Sequence, residues 1–337
     1  MVSGARRLRV LAPGALSTVQ DAGRRDVARF GVSPSGWCDW YSATAANMLV
    51  GNSDAAVIET TLTGTQFKVH GAARIAVTGA DATLTIDGVN ALRWRSHDVA
   101  DGAVIEIGNS DRGARSYLAI DGGIQVPLVL GSAATDTGAG FGGHQGRPLR
   151  EGDSLPLHDP RALPSAPVAA AAANLPTLVY APASIPAWGA EVILRILPGL
   201  HRTALSERAW DAFLGQAYGI SSRSTRQGIQ LEGDALPLER TTDIISAGAF
   251  AGCVQITNAG TPVVLLAEHQ TTGGYATVAC IIAADTPLAG QARPGDRIRF
   301  VVVSPVDGAR ARTERVAALR SLHPVADSLG AGFHEGV

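Results

Sequence analysis

Between the apolar runs TPVVLLAE and CIIAAD, which read as buried strands, the chain places His269, Gln270, Thr271, Thr272, Gly273, Gly274 and Tyr275 in the stretch HQTTGGYATVA. A bare hairpin turn needs only a glycine or asparagine pair. An imidazole, a carboxamide, two hydroxyls and a phenol are proton-handling and hydrogen-bonding groups, so this segment does more than reverse the chain.

Three other stretches carry chemistry-bearing side chains. SSRSTRQGIQLEG, Ser221 to Gly233, sets Arg226 in a hydroxyl-rich loop before Gln227 and Gly228, where its planar fork suits bidentate binding of a carboxylate. GAGFGGHQGR, Gly138 to Arg147, contains a literal G-x-G-x-x-G, but a strand follows where a dinucleotide fold needs a helix N-terminus. It reads as a long glycine-rich loop whose N–H groups could face an anion or a partner, with His144 and Arg147 as its polar ends. TVQDAGRRDVARFGVSPSG, Thr18 to Gly36, combines Gln20, Asp21 and Arg24 ahead of Asp39, an expected helix cap.

The elements that must position these loops are mostly strands. With 39 Gly and 18 Pro, turn residues exceed the usual share of about an eighth, and short Val/Ile/Leu/Thr runs alternate with Gly, Asn or Asp turns, the pattern of barrels or sandwiches. Three stretches read as helices: GWCDWYSATAANMLVG ending at Gly51, HRTALSERAWDAFLGQ, and the basic amphipathic GARARTERVAALRSL. An Ala/Pro-rich change of composition places a linker or crossover at 158–189, dividing domains at 1–157 and 190–305 from a tail at 306–337.

Several function classes fall away. A net charge of −2 offers no basic field for nucleic acid. No run approaches the ~20 apolar residues of a membrane helix, and the N-terminal apolar run is broken by Pro13 and Gly14, so a cytoplasmic protein is expected. Cys38, Cys253 and Cys280 lack C-x-x-C spacing and a histidine cluster, which points to reduced, buried thiols and no metal site. There is no G-K-[ST] phosphate loop and no G-x-S-x-G nucleophile elbow.

In order and spacing, STVQDAGRRDVARFGVSPSGWCDWYSATAANMLVGN, VIETTLTG, YLAIDGGIQVPLVLGSAAT, GAGFGGHQGRPLREGD and HQTTGGYATVACIIAAD resemble the allophanate hydrolase subunit 2 family, from about Leu8 to Val303. The family includes the C component of bacterial ATP-dependent 5-oxoprolinase, KipA-type proteins and a region of urea carboxylase. The resemblance implies a mainly β fold of two cyclophilin-like β-barrels with a few short helices. It also implies partnership with a KipI-like protein, the B component of such complexes, and with an A-type component.

The activity so implied is ATP-dependent opening of the 5-oxoproline lactam to glutamate by a complex in which this chain is inactive alone, ATP being used by the complex and not held by this chain. Arg226 would grip the substrate carboxylate, and Gln270, Thr271 and Thr272 would donate to the amide or oxyanion. Gly273 and Gly274 would allow close approach, Tyr275 would pack on the ring, and His269 or His144 would move a proton. Thr225 and Glu268 stand where the family has Asn and Asp, so the amide substrate is open. The alternatives are a carboxyltransferase component using carboxybiotin carried on another protein, and a KipA-type antagonist of a kinase inhibitor.

Overall fold

The structure, a computed structural model, describes residues 6–160, 177–180, 185–239, 245–321 and 323–324. The N-terminal part is a nine-stranded sheet built from β1 (Arg7–Ala12), β2 (Leu16–Gln20), β3 (Val57–Thr61), β4 (Thr65–His70), β5 (Ala73–Ile86), β6 (Val89–Asn90), β7 (Ser96–Val99), β8 (Val104–Ile120) and β9 (Ser154–Pro156). In β4, TQFKVH, every second side chain is buried, the period-two pattern of a strand with one face on a core. The main path runs β2-β3-β8-β4-β1-β9.

The 17-residue β8 bends, pairing β4 with its first half and β3 with its second. Its long partner β5 makes the bend possible through register shifts around Gly79, whose φ of +93° and approach to the Arg115 carbonyl exclude a side chain. Because β5, β6 and β7 branch off β8 instead of bridging β2 to β9, this sheet is a curled half-barrel. One face packs Leu8, Val10, Phe67, Ile75, Ile105 and Leu118 together. Against the other lies α1 (Trp40–Leu49), whose N-cap Asp39 accepts from Ser42 N–H and which Gly51 terminates at φ +80°, both as the sequence predicts.

After β10 (Leu178–Val179), the second unit closes fully. Strands β11 (Glu191–Pro198), β12 (Tyr218–Ile220), β13 (Gly228–Glu232), β15 (Cys253–Ile256), β16 (Pro262–Leu265), β18 (Ala276–Ile281) and β19 (Arg297–Val302) form a seven-stranded barrel in the order β11-β18-β15-β16-β13-β12-β19. The short α2 (Glu207–Gly215), N-capped by Ser206, sends Trp210 and Phe213 into its core, where the Phe213 and Phe300 rings stack 4.8 Å apart. Two two-residue strands, β14 (Ala247–Gly248) and β17 (Thr272–Gly273), pair outside the barrel.

A six-residue helix, α3 (Thr286–Gln291), is absent from the sequence reading, being too short for periodicity to show. The basic helix is present as α4 (Pro305–Leu319), followed by β20 (His323–Pro324), which pairs with β10. The expected linker at 158–189 lies largely outside the described residues.

Candidate functional site

The two units meet through α3 and a buried ionic centre. Gln291 accepts from the N–H groups of Ala114 and Arg115 at 3.0 and 2.9 Å and donates at 2.8 Å to both Asp39 Oδ2 and the Arg115 carbonyl, so one carboxamide ties α3, β8 and the start of α1. Its neighbour Gly290 lies so near the Cys38 carbonyl that no side chain fits.

Arg226 comes in from the STRQG loop with its side chain 2% exposed, between Glu59 of β3 and Glu268 of the EHQ segment, themselves 1% and 2% exposed. Nε donates to Glu268 at 2.7 Å, Nη1 to Glu59 and to Cys38 Sγ, and Nη2 to the Gly36 carbonyl at 2.6 Å. In this arrangement four of its five N–H donors bond the protein. Arg115 Nε lies 3.5 Å from the same Glu59 oxygen, while the Cys38 N–H and the Tyr117 hydroxyl donate to the other at 3.0 and 2.8 Å. Burial by itself pushes the Glu59 carboxyl up, but Arg226, Arg115 and these two donors outweigh it and hold the pKa below the ordinary value. Burial also raises the Cys38 thiol, making it a poor nucleophile.

Three of the sequence-predicted motifs converge here. Thr137, ahead of the glycine-rich loop, donates at 2.5 Å to Glu268 Oε2, and Gly138 faces the Gln227 carboxamide. Thr225 is exposed, its hydroxyl turned back to accept from Gln227 N–H at 3.2 Å. His269 is buried, its Nδ1 2.7 Å from the Gln270 carbonyl, and burial lowers its pKa. Gln270 is exposed and donates to Gln255 at 3.2 Å. The Thr271 carbonyl accepts from Ala249 N–H at 2.9 Å, Thr272 and Gly273 form β17, and Thr272, Gly274 and Tyr275 are exposed. The loop is thus a short strand braced against the Ala247–Ala249 turn.

His144 and Arg147 are tied elsewhere. Arg147 grips Asp153 through two bonds of 2.8 and 2.9 Å and His144 lies 3.4 Å from it; the Arg147 bonds are the main reason the Asp153 pKa falls to about 2. The glycine-rich loop also folds onto itself. The N–H groups of Gly140, Gly143 and Gly146 bond the carbonyls of Asp136, Ala133 and Gly142, so they are unavailable to a phosphate or other anion.

Beside the loop a cleft of about 440 Å³ opens between the units, walled by Trp37, Trp40, Phe250, Leu266, His269 and Arg312. Ser35, from the Thr18–Gly36 stretch, also lines it. This stretch holds most of the buried polar atoms without partners among the described residues: Oε1 of Gln20, Nε and Nη1 of Arg24, and Oγ of Ser35. Arg24 is 3% exposed, stacked 4.4 Å over Phe141 and bonded through Nη2 to the Ala134 carbonyl. No cluster of three or more His, Cys, Asp or Glu side chains suitable for a metal occurs among the described residues.

Sequence reasoning missed Glu59, Arg115 and Tyr117. The available signal was an acid inside VIETT, whose first four residues are all buried, since a charge amid a buried strand needs a partner.

Comparison with known proteins agrees with this architecture. The family model described as "Carboxyltransferase domain, subdomain A and B" matches residues 30–302. The chain is 36% identical over 313 residues to the C component of 5-oxoprolinase from Escherichia coli, spanning 91% of this chain and 95% of that one. It is 31% identical over 335 residues to urea amidolyase of Saccharomyces cerevisiae, spanning 94% of this chain and 18% of that enzyme. The crystal structure of K. lactis urea amidolyase superposes with a TM-score of 0.86 at 28% identity, over 96% of this chain and 20% of that one. On the match of residues 30–302 and the near full-length similarity to the bacterial relative, the chain belongs to the carboxyltransferase domain family, subdomains A and B.

Proposed function

We propose that this chain is the C component of a 5-oxoprolinase-type complex, which opens the lactam of 5-oxoproline to glutamate with ATP hydrolysis in concert with an A-type partner and a KipI-like, B-type partner. The observation that carries the reading is the near end-to-end similarity to the 5-oxoprolinase C component, 91% of one chain against 95% of the other. The urea amidolyase similarity, by contrast, covers only a fifth or less of those enzymes. It supports a second reading, a carboxyltransferase component that receives carboxybiotin from another protein.

On the first reading the reaction takes place at the interdomain cleft. An unactivated amide resists water, so the partners supply the phosphoryl donor and this chain positions and polarises the lactam. Gln270 and Thr272, exposed on the loop that follows the cleft-lining His269, offer hydrogen bonds to the amide oxygen as charge develops on it. Arg226, with four of its five donors bonded to the protein, is a positioning residue that fixes the STRQG loop against Glu268. The carboxylate then falls to Arg24, whose Nε and Nη1 are unmet, and the lactam N–H to Oε1 of Gln20. These atoms are closed to solvent, so the substrate reaches them only when the loop carrying Phe141 lifts.

Deleting the gene and measuring intracellular 5-oxoproline tests the proposal. Accumulation reversed by the intact gene supports it, and an unchanged 5-oxoproline pool with impaired growth on urea favours the second reading.

A further inference from the structure

Cys253 opens β15 and Cys280 lies near the end of β18, and the two strands pair with these residues directly opposite. Alternation sends their neighbours Val254, Ala279 and Ile281 into the barrel core, leaving both thiols on the outer face beside Ala249 and Leu265. The N–H of Ile281 donates to the Gly252 carbonyl at 2.8 Å, which makes Gly252 and Ile281 a hydrogen-bonded pair and Cys253 and Cys280 the adjacent non-hydrogen-bonded pair. In such pairs the Cα atoms stand about 4.5 Å apart, within the range of ~4.4 to 6.8 Å that a disulfide accepts.

The surroundings favour reaction. Cys253 is sealed, whereas Cys280 is partly exposed and provides the point of attack. A hydrogen bond between the thiols brings the pKa of Cys253 down to about 7 and pushes that of Cys280 up, so the pair as a unit gives up one proton near neutral pH and shares the one that remains. The pair is also linked to the loop: Ala249, which packs with both cysteines, donates its N–H to the Thr271 carbonyl at 2.9 Å, beside the pairing of Ala247–Gly248 with Thr272–Gly273.

We propose that Cys253 and Cys280 form an oxidation site, which a small disulfide of the glutathione class converts to a cross-strand disulfide joining β15 to β18 at the base of the Gln270–Tyr275 loop. The shared proton passes from Cys280 to Cys253 Sγ, and the Cys280 thiolate so formed attacks one sulfur of the oxidant, whose S–S bond breaks and releases the first glutathione thiol. Cys253 Sγ then attacks Cys280 Sγ, forming the intramolecular bond and expelling the second. Two electrons and two protons leave the protein and reappear on two molecules of reduced glutathione, so the step balances.

The test equilibrates the full-length protein in anaerobic glutathione buffers of graded ratio, quenches it with acid, alkylates the remaining thiols after denaturation, and maps the peptides by mass spectrometry. A Cys253–Cys280 cross-linked peptide that forms cooperatively with oxidant and disappears with dithiothreitol is expected, with Cys38 alkylated throughout. Cys253→Ser should stop at a glutathione adduct on Cys280, and Cys280→Ser should leave Cys253 unmodified in the folded chain. The proposal is overturned if the wild-type chain, folded by circular dichroism, gives no cross-link at the most oxidising ratio. It is equally overturned if the wild type accumulates the Cys280 adduct in place of the cross-link, or if Cys38 reacts in parallel, which would trace the chemistry to unfolded chains.

Discussion

Replacing Arg226 by alanine removes a cation from between two carboxylates that are 1% and 2% exposed. Glu59 keeps Arg115 at 3.5 Å and the Cys38 and Tyr117 donors, but Glu268 keeps only the Thr137 hydroxyl among its described side-chain partners. Breaking a buried pair from one side costs about 3 to 5 kcal/mol, because the remaining charge is left uncompensated. That is a fall in melting temperature of roughly 10 °C. Lysine restores the charge at a single point without the planar fork that spans Glu59, Glu268 and the Gly36 carbonyl, so it should recover less than half.

The pH dependence follows from Glu59. Its folded pKa is depressed, so its contribution is present above the unfolded value of about 4.3 and lost as pH falls through the folded value. In the alanine variant Glu59 loses its largest favourable partner while its burial remains, so its carboxyl takes up a proton more readily. The gap between wild type and variant should therefore narrow as pH is lowered from 7 to 4. Thermal melts across that range, with kcat/KM measured on complexes containing each variant, check both points. An alanine variant that melts within a degree of wild type while kcat/KM collapses would refute the positioning role and return Arg226 to the substrate.

The Gln291→Leu variant removes the bonds to the Ala114 and Arg115 N–H groups and the Arg115 carbonyl and takes from Asp39 Oδ2 one of its two donors, Ser42 remaining; it should lose about 3 kcal/mol, read in a urea titration. Thr272→Val, on an exposed strand residue, should lower kcat/KM of the complex at least tenfold, about 1.4 kcal/mol, with an unchanged melt, whereas a merely structural threonine would show the reverse. Gly274→Ala should fold normally, since its Cβ would meet nothing nearer than Ser246 Oγ at 3.7 Å; a lowered melting temperature would show the loop packed differently. His269 is held below its ordinary pKa by burial, so the folded state prefers the neutral ring and stability falls as pH drops through about 6.5 toward the folded value. His269→Gln should flatten that slope between pH 7.5 and 5.5. Arg24→Gln should raise KM for 5-oxoproline about tenfold with kcat less affected, measured by glutamate release.

The strands were readable because their chemistry is local. Alternation in TQFKVH and the Gly51 stop after α1 depend on a few neighbouring residues. The open N-terminal sheet was not, since closure depends on whether β5–β7 bridge β2 and β9 or branch from β8, a long-range choice no periodicity encodes. The same distinction governs the site. Thr225–Arg226 and Glu268–Tyr275 stand out as polar loops between apolar strands, and one residue of each, Arg226 and Glu268, meets the other at the interdomain centre. The partners that occupy Arg226, namely Glu59, Glu268, Cys38 and Gly36, lie 42 to 190 positions away in sequence, so spacing alone could not reveal that its fork is already filled.

The most direct measurement of the functional account is reconstitution: purified chain, A-type and KipI-like partner proteins from the same genome, 5-oxoproline and ATP, with glutamate and ADP followed together. The account predicts glutamate formation coupled to ATP hydrolysis that disappears when this chain is omitted and that the chain alone cannot support. Glutamate formation at full rate without this chain, or ATP turnover that responds to urea and a biotinylated carrier but not to 5-oxoproline, would contradict it.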